Sequence, residues 1–260
     1  MVDADRGPAA ASSTATVDEA SFLLVVGEDL PVSELDADDL AAFNDSYSQV
    51  HLPDVVNLHE GFLRGTRYQL VEPDPRGDLG PGWLTVYELS GEDAVAGYLG
   101  LAAAADRPRY QPWNHHESRV RWHVAWRRRP GYRGAIGRLG RPYLYLIGMD
   151  VPPETDDGEL AAFNAFYDQV HLPEVVRALG YERGLRFERL CSLAHPGPGC
   201  PRFMAVYDGD EQVIRRAAEG IPADAIPMDG PQAWNSRRTQ WRLLYRRIAS
   251  YARSAPSSSC

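Results

Sequence analysis

Phe43–Val56 reads FNDSYSQVHLPDVV, and Phe163–Val176 reads FNAFYDQVHLPEVV. Extended back to Leu40 and Leu160, the two stretches share 13 of 17 positions. An identity of that density, 120 residues apart, marks a duplicated unit. The match runs on: GFLRGTRYQLV from Gly61 aligns with GYERGLRFERL from Gly180, Val86-Tyr87 with Val206-Tyr207, and RVRWHVAWRR with TQWRLLYRR at the ends of the copies.

Each copy has the pattern strand, helix, strand, strand, helix, strand. SFLLVV and YLYLIGM are apolar runs of strand length. The stretches ending at the repeated histidine open with Asp and carry Leu, Phe, Tyr and Val at helical spacing. Strands are expected near 62–71, 83–89 and 119–128, and again near 184–191, 202–208 and 239–247. Second helices are expected near 91–104 and 210–219. The order β-α-β-β-α-β predicts an α+β chain of two ferredoxin-like units. One such unit covers a single sheet face with helices, so two can join their bare faces into a pseudo-dimeric α/β barrel. The expected division is a disordered leader (1–18), a first unit (19–129), a Gly/Pro-rich linker (130–141), a second unit (142–250) and a frayed tail (251–260). Duplication removes the need for a homodimer without forbidding one.

Composition sets bounds on function. The net charge of -9 speaks against a general nucleic-acid binder, which needs basic surface. No run approaches the ~20 apolar residues of a membrane span, and the N-terminal stretch has no apolar core of a secretory signal. Three cysteines give no disulfide framework, and a cytoplasmic protein is expected. All 27 basic residues are arginine, so Schiff-base catalysis and a phosphate-loop lysine are excluded.

Tyr47 and His51, like Tyr167 and His171, are four residues apart and share a helical face, with Asn44 and Asn164 close to it. Pro53 and Pro173 predict that the helix ends near each histidine, where the dipole favours the protonated ring. A histidine so placed can act as general acid or base, or can cap carbonyls and bond its tyrosine. On the last strand of the first copy, Val120, Trp122, Val124 and Trp126 form an apolar face expected beneath the helices. The opposite parity then points Arg121, His123, Gln240 and Arg242 into the barrel, where a ligand or Glu88 and Glu188 would satisfy them. Tyr87, Trp113 and Trp234 are candidate aromatic walls. His115, Glu117 and His123 have one strand parity and His116 the other, so no compact metal triad is expected.

The phrases YSQVHLP and YDQVHLP resemble the Tyr-x-x-x-His-x-Pro signature of EthD-like domains, in the dimeric α/β-barrel superfamily. The resemblance covers both units. It implies the barrel, and an activity among polyketide cyclases, isomerases, cofactor-free monooxygenases and haem enzymes. The leading expectation is a cofactor-free enzyme of specialised metabolism, a cyclase, isomerase, dehydratase or oxygenase. It would act on an aromatic or polyketide-like molecule inside the barrel. His51, Tyr47, His123, His171 and Tyr167 are its candidate catalytic residues. Asn44, Arg121, Arg242, Gln240, Tyr87, Trp113 and Trp234 are its candidate substrate contacts. The expectation includes no metal, cofactor, nucleic-acid or membrane partner. The alternatives are a non-catalytic carrier of a hydrophobic metabolite and a haem-dependent oxidoreductase.

Overall fold

A computed structural model describes residues 20–31, 35–72, 74–103, 110–111, 118–131, 139–195, 200–219, 226 and 229–254. The leader, Trp113, His115, His116, most of the 130–141 linker and the end of the tail lie outside the described residues.

Eight strands form one closed antiparallel barrel. They are β1 (Phe22–Asp29), β2 (Phe62–Glu72), β3 (Trp83–Leu89), β4 (Arg119–Arg128), β5 (Tyr143–Asp150), β6 (Arg183–Ala194), β7 (Phe203–Gly209) and β8 (Arg238–Ala252). Around the barrel the order is β1-β3-β2-β8-β5-β7-β6-β4, with β4 closing on β1. Each half supplies four strands in the same order, and the halves meet along β2–β8 and β4–β6. Closure leaves no open sheet edge. The architecture is a ferredoxin-like α/β barrel.

The helices follow their sequence signals. Asp36 caps α1 (Ala37–Ser46), accepting hydrogen bonds from the backbone N–H of Asp38 and Asp39 at 2.9 and 2.8 Å. Asp156 caps α4 (Asp157–Phe166) in the same way. The repeated phrase departs from the expected helix end. Tyr47–His51 and Tyr167–His171 are single π turns, closed by the Leu52 and Leu172 N–H groups on the Tyr47 and Tyr167 carbonyls. The chain then continues as α2 (Leu52–Leu58) and α5 (Leu172–Leu179). Pro53 and Pro173 fall in the first turn after the π turn, where a missing N–H is tolerated. The histidines therefore lie within a helical run and not at its end. Helices α3 (Glu92–Ala103), α6 (Glu211–Glu219) and the short α7 (Gln232–Asn235) complete the fold.

One apolar cluster draws residues from all eight strands, among them Val25, Tyr68, Val86, Trp122, Trp126, Leu146, Phe187, Val206, Trp241 and Leu243. A cluster common to every strand of a closed barrel is its lumen, and this lumen is filled by side chains. Two outer clusters contain the helices: Phe43, Tyr47, Leu52 and Tyr87 in the first half, and Phe163, Tyr167, Tyr207 and Trp234 in the second. The expected parity of the last strands is thus reversed. Trp122, Val124 and Trp126 face the lumen, whereas Ala125 and His123 face outward, His123 sharing a 2.9 Å hydrogen bond with Tyr98 of α3. Both faces of a barrel strand are covered here, and the larger apolar stripe fills the lumen.

Candidate functional site

The repeated phrase builds a matched pair of layers outside the barrel. In the first, Arg67 of β2 lies under the π turn with its guanidinium 3.9 Å from the Tyr47 ring centre. It donates to the Asn44 carbonyl and side-chain oxygens and to Ser48 Oγ, each at 3.2 Å. In the second, Arg186 of β6 lies 4.2 Å from the Tyr167 ring and donates to Asn164 Oδ1 at 3.1 Å and Asp168 Oδ1 at 2.8 Å. Both arginines are buried. Tyr47 also accepts a hydrogen bond from Thr85 at 3.1 Å, and Tyr167 shares one of 3.4 Å with Tyr207. Asn44, Tyr47 and Tyr167 are therefore placed as the cradle of a buried arginine. Neither arginine was singled out as a site residue, although their identity in the two aligned strand segments was the available signal.

The histidines of the phrase pack edge-on to their tyrosines, His51 at 4.8 Å from Tyr47 and His171 at 5.1 Å from Tyr167. Burial lowers the His51 pKa to about 4, the reverse of the stabilised cation expected at a helix end. His171 is covered by Trp234, ring centres 4.3 Å apart. In the first half His51 faces Tyr110 at 5.1 Å, and Tyr110 shares a 2.8 Å hydrogen bond with His59. Burial also lowers the pKa of His59 and His123. Tyr87 is buried against Phe62 in this outer layer.

The remaining candidates lie at the barrel ends or on its outside. Arg121 is clamped between Asp29 and Asp78 at 2.7 and 2.8 Å, and donates to the Gly80 and Asp78 carbonyls. Gln240 donates to Asp150 at 2.8 Å, and Arg242 is exposed, its backbone N–H bonded to Asp74. His123 alternates with the lumen residues Trp122 and Val124, and Arg242 with Trp241 and Leu243, so both face away from the lumen. Among the described residues, no three His, Cys, Asp or Glu side chains gather as a metal-ion site.

A cavity of about 540 Å³ opens where the ends of β1 and β6 meet the start of β4. Asp29, Asp78, Arg119, Val120, Arg121, Ala194 and His195 line it. The His195 ring stacks on buried Trp122 at 4.9 Å and 19°. Of the five described histidines, His195 is the one on this cavity; the other four pack between helices and barrel. Of the apolar lining residues, Val120 is 44% exposed. Arg121 is committed to its two aspartates, whereas no ion pair holds Arg119 among the described residues.

Comparison with known proteins finds no matching family and no matching curated protein. Solved structures of similar shape are found at low identity. A putative chlorite dismutase is 11% identical over 87% of this chain and 94% of its own, with a TM-score of 0.49. A variant chlorite dismutase from Candidatus Nitrospira defluvii is 11% identical over 88% and 92%, also at 0.49. A haem-binding protein from Thermus thermophilus is 11% identical over 87% and 90%, at 0.45. These are likenesses of the barrel, and not of EthD-like domains in particular.

The leading expectation is corrected here. The lumen meant to hold an aromatic substrate is packed with side chains. The expectation of a cofactor-free cyclase or isomerase working inside the barrel is corrected on that ground, and the expectation of no cofactor is withdrawn with it. No helix of the described residues is long and apolar enough to cross a membrane.

Proposed function

We propose that this chain binds an amphiphilic, anionic small molecule in the barrel-end cavity, with haem the first ligand to test. We read the chain as two fused ferredoxin-like units, 19–129 and 142–250, in a pseudo-dimeric barrel that keeps the EthD-like phrase in each.

The observation that carries the proposal is the gathering of His195, Arg119 and the apolar Val120 and Ala194 on one cavity of about 540 Å³. That volume lies within the usual range of small-molecule pockets, about 300–1,000 Å³. For haem the lining offers one imidazole, that of His195, whose Nε2 is buried and would have to turn toward the iron, and the Arg119 guanidinium for a carboxylate. Val120 and Ala194 offer apolar contact. Bound there, haem would supply redox or gas-ligand chemistry at its iron. The chain's own part is positional. Trp122 backs the His195 ring, and Asp29 with Asp78 holds Arg121 in the wall.

A second reading keeps the Arg119 guanidinium and drops the iron: a carrier of a smaller amphiphilic anion with no metal. Titration of the purified chain with hemin separates the readings. A Soret band saturating at one equivalent supports haem. No Soret change, with saturable binding of anilinonaphthalene sulfonate that depends on Arg119, supports the carrier. Failure of both ligands to bind sinks the proposal.

A further inference from the structure

The two halves bury an arginine at the same place and set the nearby acid at different positions. Arg67 and Arg186 occupy matching positions in GTR and GLR, each beneath a π turn. In the second half the acid is on the turn: Asp168 forms an ion pair with Arg186 at 2.8 Å. The first half has Ser48 at that position. Aligning FLLVVGED with YLYLIGMD pairs Gly27 with Gly148 and Asp29 with Asp150, so Glu28 stands where the second half has buried Met149. The acid has moved from the helix to the strand.

The two acids are not equivalent. Asp168 is hydrogen-bonded to its arginine. Glu28 is 7% exposed, and its Oε2 is buried with no hydrogen bond. The charged and titratable groups acting with it are Arg67 from β2, Tyr47 from the π turn and Tyr87 from β3. His51, one turn beyond Tyr47, also feels Arg67.

We infer that Glu28, a buried carboxyl with an unbonded oxygen, is a proton-binding site that makes the first half a pH-responsive element, with no counterpart at the matching position of the second. Burial drives the Glu28 pKa up to about 7, against the pull of Arg67. Its neighbours do not change charge there: His51 is neutral above about pH 4, and burial raises Tyr47 and Tyr87 well above their ordinary range. With Glu28 protonated, Arg67 is left with the neutral acceptors Asn44 and Ser48. The second half keeps its ion pair. The inference stands apart from the ligand reading, since Glu28 does not line the cavity.

The test is an infrared difference titration of the full chain between about pH 5 and 9, following the protonated-carboxyl stretch. The wild type is expected to lose one buried carboxyl band centred near pH 7, and Glu28→Gln to lack that band. A second variant, Glu28→Met with Ser48→Asp, transplants the second half's arrangement and is expected to fold without the near-neutral band. The inference is overturned if the wild type shows no carboxyl titrating above about pH 6, or if either variant retains the band.

Discussion

The imidazole of His195 lies face to face with the Trp122 indole, centres 4.9 Å apart and planes 19° from parallel. Trp122 is a lumen residue and His195 a cavity residue, so this stack joins the packed interior to the open site. Trp122 in turn lies 5.0 Å from Trp241 of β8. Loss of the tryptophan would thus disturb both halves. Trp122→Ala is expected to destabilise the fold by about 3–5 kcal/mol, whereas His195→Ala should cost only about 0.5–1.5 kcal/mol through the lost stack and remove ligand binding. Denaturant unfolding beside ligand titration checks both.

A packed lumen has no room for a further methyl group. At Gly148 an added Cβ would meet the Trp241 ring at 2.4 Å. Gly148→Ala is expected to cost about 1–3 kcal/mol through overpacking. A neutral or stabilising effect, measured by chemical denaturation, would mean that the lumen holds space for a ligand after all.

Removing one partner of a buried ion pair is worse than removing both. Arg186→Met leaves Asp168 uncompensated and is expected to cost about 3–5 kcal/mol. Adding Asp168→Ser, the first half's residue at that position, should recover much of the loss. A double-mutant cycle by urea unfolding measures the recovery.

Two buried groups in the first half oppose each other in pH dependence. Glu28 has a folded pKa of about 7 against an ordinary 4.5, so the folded chain holds its proton more tightly and stability falls as pH rises through that window. His51 has a folded pKa of about 4 against 6.5, so the unfolded chain holds more proton and stability rises with pH through that window. Where the windows overlap, near pH 5.5, the two slopes cancel. Glu28→Gln is expected to uncover the histidine slope, about 1 kcal/mol per pH unit. Thermal midpoints measured between pH 4.5 and 6.5 would show it as a steeper rise than in the wild type.

The sequence made some of this legible and hid the rest for physical reasons. The repeated phrase located both helices, and the strand positions followed from alternation and turn residues. The π turns were hidden because a four-residue spacing such as Tyr47 to His51 suits an α turn as well. The facing of β4 was misjudged because period-2 alternation separates two faces without saying which lies inside a barrel. Arg67 and Arg186 were visible as identical arginines in two aligned strands, and a buried strand arginine needs partners that the phrase itself supplies. The cavity gave no local signal. Its residues come from β1, a loop, β4 and the end of β6, joined only by barrel closure.

The most direct test of the ligand site compares hemin titrations of the wild type and His195→Ala by absorption spectroscopy. The account predicts a Soret band that saturates at one equivalent in the wild type and is lost or displaced in the variant. An identical band in both proteins would put the haem elsewhere and contradict the assignment of the barrel-end cavity.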